Sequence, residues 1–562
     1  MRKKKNLITI IAVIVAIIAV NVIIQVYFFR LDLTSEKRYS ISKNTKELLR
    51  NLDSDISVVI YLDGDLNSGF LRLRKATAEM LSEFKVFAGN RLSYTFVNPS
   101  ATATDKERMA KYETLERKGL RATVVYDKDS EGKSIQKVIF PWAQVISGRD
   151  TVNVQLLKNI QGNSGSENLN ISIESLEFEL TDAIRTLTRK EVQKIAFLEG
   201  HDELHQILTH DITEALSKYF QIDRGALQND PTVLDSYKAI IIAKPQSKFS
   251  ESDKFIIDQY IMNGGRVLWL VDGTRISMDT LANYGFSPAL QSELNLNDQL
   301  FRYGVRINPD LLLDVQSVYI PVDKAREGDR PDYQPAPWYF SPLLLTSPNH
   351  PVSRNVTVVK SEFASSIDFV GNDPNIHKEV LLVTSQHSRA IPTPTHISLD
   401  VLNIPADPAF FNQRHLPVAV ALEGVFPSVF NNRFPPQGVI PPDQIKTQSV
   451  PTRMIVIADG DIIRNDVSGI GANARPLPLG YDSYMNQEFG NKSFIMNSIL
   501  YLTDDAGWLK LRSRELKIRL LDKIRVNQNK KAIQIINVAM PVLLLILFAI
   551  LNTIIRKRKY SN

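Results

Sequence analysis

The stretch "FLEGHDELHQILTH", residues 197–210, gathers three of the chain's eight histidines and three acids into fourteen positions. His201 and His205 stand four apart, a spacing that on a helix lets two imidazoles reach one metal ion. The hydrolytic pattern H-E-x-x-H needs a Glu directly after the first His to act as general base. Here Asp202 holds that place and Glu203 follows it. Gly200 ends the preceding strand-like run, so His201 is expected in a turn with Asp202 as the helix N-cap. His210 would lie about 180° around such a helix and cannot join the pair. Leu204, Leu208, Ile212 and Leu216 supply its buried stripe. The stretch therefore reads as a strand-to-helix junction, and no metal ligand is assigned within it.

A wider set of polar groups sits at the ends of apolar runs. These are Glu199, His201 and Glu203 in "EGHDE", Asp272 in "VDGT", Ser385 and His387 in "SQHS", and Asp459 and Asp461 in "ADGD". Ligands of parallel sheets bind at the carboxyl ends of the strands, so this set is the candidate site for a hydroxyl-bearing ligand or a cation. Asp and Gly also favour turns and caps at such edges, which accounts for the same residue types without a ligand. Other motifs fail. "EGKS" at 131–134 has Asp127 where a phosphate-binding loop needs its first glycine, "GIGANA" at 469–474 follows no strand, and no G-x-S-x-G elbow occurs. No catalytic residue and no cofactor are expected.

Bulk composition narrows the class. The 562 residues are 44% hydrophobic, enough for two or three folded units. The absence of cysteine excludes disulfides, thiolate metal sites and cysteine nucleophiles. A net charge of +6 comes from the tips, Arg2 to Lys5 and Arg556 to Lys559; the remainder is slightly acidic, so no nucleic-acid partner is indicated.

Both tips flank apolar runs. Residues 7–29, "LITIIAVIVAIIAVNVIIQVYFF", carry no charge and are long enough at about 1.5 Å per residue to cross a bilayer core of roughly 30 Å. With no cleavage signal behind it, this run reads as an uncleaved signal anchor. Residues 532–555 form a second span containing Asn537 and Pro541, expected contacts to a neighbouring helix. Basic tips at 1–6 and 556–562 predict both termini in the cytoplasm and the body in the periplasm. Residues 506–531 are basic, with Leu516, Leu520 and Ile524 at helical spacing, which predicts a juxtamembrane amphipathic helix on lipid headgroups.

Between the spans the expected class is α/β. Residues 30–190 alternate as β-α-β-α-β-β-α, the order of a thioredoxin-like domain, with "RATVVYD" and "KSIQKVIFPW" as the last two strands. From 191 to 505 apolar strands ("KIAFLEG", "YKAIIIAKP", "RVLWLVDG") alternate with helices, including one at 203–220. This predicts a larger flavodoxin/Rossmann-like parallel-sheet domain with long insertions at 320–350 and 390–450.

Several stretches together resemble the gliding-motility ABC-transporter auxiliary family, the GldG-type proteins of Bacteroidetes. They are "DLTSEKRYSIS", "FLEGHDE", "PVAVALEGVFPSVFNNR", "MIVIADGDIIRND", "NKSFIMNSILYLTDD" and "LRSRELKIRLLDK". The resemblance implies a non-catalytic inner-membrane subunit working with an ABC permease and a cytoplasmic ABC ATPase, in gliding motility and type IX secretion, with periplasmic motility or secretion proteins as further partners. It also implies a domain similar to one that serves assembly in intraflagellar-transport proteins. A periplasmic solute-binding receptor using the strand-edge set, and a metal-assisted hydrolase using His201 and His205, are the alternatives.

Overall fold

The computed structural model describes residues 41–505 and 529–560, apart from 103, 129–133, 160–163, 190, 324, 326–329, 437–438, 440–444 and 470. Residues 40–514 form one compact unit; 1–39 and 515–562 form another. The expected anchor at 7–29 and nearly all of the amphipathic segment at 506–531 lie outside the described residues.

The N-terminal part of the body is a four-stranded sheet backed by helices. Its strands are β1 (Ile56–Ile60), β2 (Leu92–Phe96), β5 (Trp142–Ser147) and β6 (Asp150–Gln155), in the order β2-β1-β5-β6. β1 runs parallel to β2 and antiparallel to β5, and β5 and β6 form a hairpin. The runs expected to complete this sheet, now β3 (Thr123–Lys128) and β4 (Ser134–Ile139), pair only with each other as a separate ribbon. The sheet takes the next two strands instead, because β5 can bury Ala143 and Val145 against the core.

Four helices accompany the sheet: α1 (Lys43–Arg50), α2 (Ser68–Ala88), α3 (Asp105–Arg117) and α4 (Gly165–Thr188). A reciprocal capping box starts α4: Glu167 N–H donates to Ser164 Oγ, and Ser164 N–H donates to the Glu167 carboxylate at 2.7 Å. Helix α4 serves two cores. Leu176, Leu180, Ala183 and Ile184 pack on the N-terminal sheet, while Phe178 packs into the core of the larger sheet. It also holds the start of the body, since the buried Glu177 carboxylate accepts from Ser42 N–H at 2.6 Å and Thr45 Oγ1 at 2.9 Å.

The larger part is built on a ten-stranded sheet. Five strands are parallel: β7 (Lys194–Leu198), β8 (Gln221–Gly225), β9 (Ala239–Ala243), β10 (Arg266–Leu270) and β15 (Thr452–Ile457). Beyond β15 come β14 (Pro417–Gly424), β13 (Ile376–Val383), β12 (Tyr333–Thr346) and β11 (Ser317–Asp323), each antiparallel to its neighbour, with the short strand Val359–Lys360 beside β12. The expectation of an all-parallel sheet is thus corrected to a mixed one: apolar runs reveal burial on both faces but not strand direction. In β9, "AIIIA", Ile241 faces one core and Ile240 and Ile242 the other. The first core includes α5 (His210–Ser217) and α8 (Asn491–Thr503); the second includes α6 (Glu251–Met262) and α7 (Asn297–Tyr303).

Helix α9 (Lys530–Tyr560) is the second expected span, and it continues a little beyond 532–555 at both ends. Among the described residues it is the one helix long and apolar enough to cross a membrane, by length and composition, over Gln534–Arg558.

Replacing Glu177 by Leu strips the acceptor from Ser42 and Thr45 and should lower unfolding free energy by about 1–3 kcal/mol. A urea melt of the full chain should show the lower midpoint, and hydrogen exchange should rise in 42–50 more than in β1. Equal protection in both segments would contradict this role of Glu177.

Candidate functional site

The five parallel strands lie in the order β8-β7-β9-β10-β15. The chain goes outward from β7 to β8 and returns on the other side of β7 as β9, so the switch point lies between β7 and β9, where ligand crevices form. This chain fills that place itself. Leu204 N–H donates to the Ala243 carbonyl at 3.0 Å, and the N–H groups of Gln246 and Ser247 donate to the His201 carbonyl at 2.8 and 3.1 Å. The loop after β7 and the loop after β9 are stitched across the crevice.

His201 is a central part of that stitching. Its ring, 4% exposed, stacks on Phe249 at 3.6 Å between centroids. Nδ1 lies 3.1 Å from Glu203 Oε1, and Nε2 lies 3.2 Å from Asp253 Oδ2 at the start of α6. Burial opposes the charged ring, but the hydrogen bonds and charges of Asp253 and Glu203 outweigh it and raise the pKa to about 9. An imidazolium with both nitrogens engaged is a structural cation and offers no lone pair to a metal. Two expectations about this loop are corrected. Asp202 has φ of 55° and caps nothing; the cap is His205, before a short 3-10 turn at Gln206–Thr209. The α-helix begins only at His210, so His201 and His205 share no helix face.

Next along the edge, three adjacent strands converge. Lys244 follows β9, Asp272 follows β10, and Asp459 and Asp461 follow β15. Oxygens of the three aspartates lie within 4.8 Å of one another, an arrangement that could hold a divalent cation. The cation placed there is the Lys244 ammonium, which pairs with Asp461 and lies 3.5 Å from Asp272. Arg464 closes the cluster, with Nη1 2.9 Å from Asp461 and Nη2 3.3 Å from Glu362. Backbone groups hold Asp272 and Asp459: Gly460 N–H donates to Asp272 at 2.6 Å, while Asp461 and Glu362 N–H donate to Asp459 at 2.7 and 2.8 Å.

The charges explain one another. Burial, with the neighbouring Asp461 and Asp272, pushes Asp459 well above the carboxylate range, and burial also raises Asp272 and Glu362. Burial alone would lower Lys244, but Asp272 and Asp461 hold it above its ordinary value. The Asp461 carboxylate does the same for Arg464. The adjoining cavity, lined by Lys360, Glu362, Asp461, Arg464 and Tyr481 among others, has a volume of about 30 Å³. That admits one or two waters; small-molecule pockets are roughly ten times larger.

The other expected site residues do not join this cluster. Glu199 pairs with Arg224 at 3.3 Å. Ser385 donates through Oγ and N–H to the buried Asp314, both at 2.6 Å, and accepts from His387 N–H at 3.0 Å. Of the eight residues, Asp272, Asp459 and Asp461 come together in this cluster, while His201 pairs with Glu203 and His387 with Ser385 apart from it. Sequence reasoning missed Lys244, Glu362 and Arg464. The lysine directly after "AIIIA" was a usable signal, since a charge at the end of a fully buried strand needs a partner; Glu362 and Arg464 are brought in by tertiary structure alone.

Two outcomes follow. The raised pKa of His201 contributes stability fully below its unfolded value of 6.5, and that contribution is lost as pH rises through about 9. A pH series of urea melts should therefore fall between pH 7 and 9.5 for the natural chain and be flatter for His201→Asn. Lys244→Met leaves buried carboxylates without their ammonium and should cost about 3–5 kcal/mol, while adding Asp461→Asn should restore most of it. A single variant as stable as the natural chain would contradict the ion pairing.

The chain is similar to two family models and to several known proteins. Residues 35–146 match the model of a domain of unknown function. An uncharacterized protein of Borreliella burgdorferi is 21% identical over 418 residues, covering 73% of this chain and 76% of that protein. A solved structure described as "mmIFT52 N-terminal domain" is 13% identical with a TM-score of 0.32, covering 56% of this chain and 99% of its own. Residues 192–498, more than half of the chain and the whole mixed-sheet part, match the family model of an "ABC-type uncharacterized transport system", and the chain belongs to that family.

Proposed function

We propose that this protein is a non-catalytic, membrane-anchored auxiliary subunit of an ABC-type transport system, whose body binds or props other components. Family membership over 192–498 supports the transport setting. The observation that carries the non-catalytic reading is the closed carboxyl edge, where Lys244 and Arg464 pair with Asp272, Asp461 and Glu362, backbone N–H groups hold Asp459, and the adjoining cavity has a volume of about 30 Å³. That volume weighs against the solute-receptor alternative, and the doubly engaged His201 weighs against a metal-assisted hydrolase.

In this reading residues 7–29 and α9 are two spans with both termini cytoplasmic and the body periplasmic, supported by the basic tips at 2–5 and 556–559. The strand order β2-β1-β5-β6 supports a thioredoxin-like N-terminal domain, which without cysteines serves as a redox-inert binding scaffold. The order β8-β7-β9-β10-β15 supports a flavodoxin-like parallel half. The partners are a multi-span permease and a separate cytoplasmic ATPase. The narrower setting, gliding motility and type IX secretion, rests on the sequence resemblance alone.

A tagged full-length chain, purified from gently solubilised membranes, should bring down an ABC ATPase and a multi-span permease at near-stoichiometric levels by mass spectrometry. An intact, folded chain recovered with neither would contradict the proposal.

A further inference from the structure

A second cavity lies at the amino edge of the parallel strands, where Gln193 and Phe220 directly precede β7 and β8. Its volume is about 220 Å³, against about 30 Å³ at the carboxyl edge. That approaches the roughly 300 Å³ at which small-molecule pockets begin. Three helices end around it. Arg185 and Arg189 come from the end of α4, Tyr219 and Phe220 from just past α5, and Leu500 and Asp504 from the end of α8. Helix carboxyl ends carry partial negative charge, and arginines serve them here. Arg189 donates to the Tyr219 carbonyl and, at 3.2 Å, to the Lys218 carbonyl. Arg453 donates to the Tyr501 and Asp504 carbonyls at 3.2 and 2.9 Å.

The wall of this cavity carries both signs of charge. Arg185 is paired with Asp182 at 2.8 Å, and Asp505 with Lys238 at 2.7 Å and with Arg266. Arg189 makes no ion pair among the described residues. Burial and the neighbouring Arg185 charge hold its pKa below the ordinary arginine value. Glu191 and Asp504 bring carboxylates to the same wall, and Phe220 and Leu500 bring an apolar patch. A bare anion is attracted by Arg189 but repelled by the carboxylates, and a bare cation meets the reverse. A small molecule carrying both charges suits both poles.

We infer that this cavity binds a free α-amino acid, its carboxylate on Arg189, its ammonium toward Glu191 and Asp504, and its side chain against Phe220 and Leu500. The inference goes beyond the auxiliary-subunit reading and does not depend on it. Helix α4 packs on both cores, so a solute held between α4, α5 and α8 acts as an effector on the joint between the two sheets.

The full chain in detergent is melted with each standard amino acid at millimolar concentration. At least one should raise the midpoint by at least about 2 °C, as a ligand selective for the folded state does. Arg189→Gln should lose that shift. Matched analogues test the chemistry on the natural chain. If leucine is the ligand, they are isocaproate, which lacks the ammonium, and isoamylamine, which lacks the carboxylate; neither should match the amino acid. Hydrogen exchange should slow at 185–189 and 500–505 on addition of the amino acid, which locates the site even if Arg189→Gln fails to fold. No shift from any amino acid overturns the inference, as does a shift that survives in a folded Arg189→Gln. An equal shift from the deaminated acid or from inorganic phosphate would leave an anion site only. A larger one from glycerophosphoethanolamine would assign the cavity to a lipid headgroup. Either result overturns the amino-acid site.

Discussion

The carboxyl edge of the large sheet must accommodate several buried carboxyls, and it does so by supplying its own cations. Lys244, Asp272 and Asp461 come from successive parallel strands, which sit about 4.8 Å apart, so neighbouring strand ends inevitably crowd their charges. An ammonium from the central strand and a guanidinium from the loop after β15 resolve that crowding. Without them, Asp461 and Asp272 would be left at a buried edge without their ion-pair partners, which is strongly destabilising. With them, the sheet edge becomes a joint between loops.

The same principle operates one strand further along. His201 bridges Glu203 and Asp253, tying the loop after β7 to the start of α6. Asp314 receives Ser385 on the antiparallel side. Each acid that could have faced a ligand faces the chain instead. The loops at this edge are thus bonded to one another and to α6. Helix α4 joins the large sheet to the N-terminal sheet by packing on both cores.

The sequence made the apolar skeleton legible. "KIAFL", "AIIIA" and "RVLWL" are buried strands as expected, because only a strand covered on both faces needs such runs. "WAQVIS" and "DTVNVQ" are as apolar as the hairpin before them, so composition alone does not say which pair completes the sheet. The helix at 203–220 began late because the loop from Gly200 to His205 is held by tertiary bonds, with Asp202 in the left-handed region. Strand direction across β11–β14 was illegible, as nothing in an apolar run encodes it. At the edge itself the three aspartates were visible and Lys244 left a signal at the end of a buried strand, but Glu362 and Arg464 lie about a hundred residues apart and meet only in the fold.

The central claim is that the strand-edge charges hold the fold and do not perform chemistry. The most direct measurement is the ATP turnover of the purified transport complex containing the double variant Lys244→Met, Asp461→Asn. The account predicts turnover equal to that of the natural complex, provided circular dichroism shows the variant folded and it still co-purifies. A folded, fully assembled variant that abolishes turnover would show that this edge takes part in the working cycle.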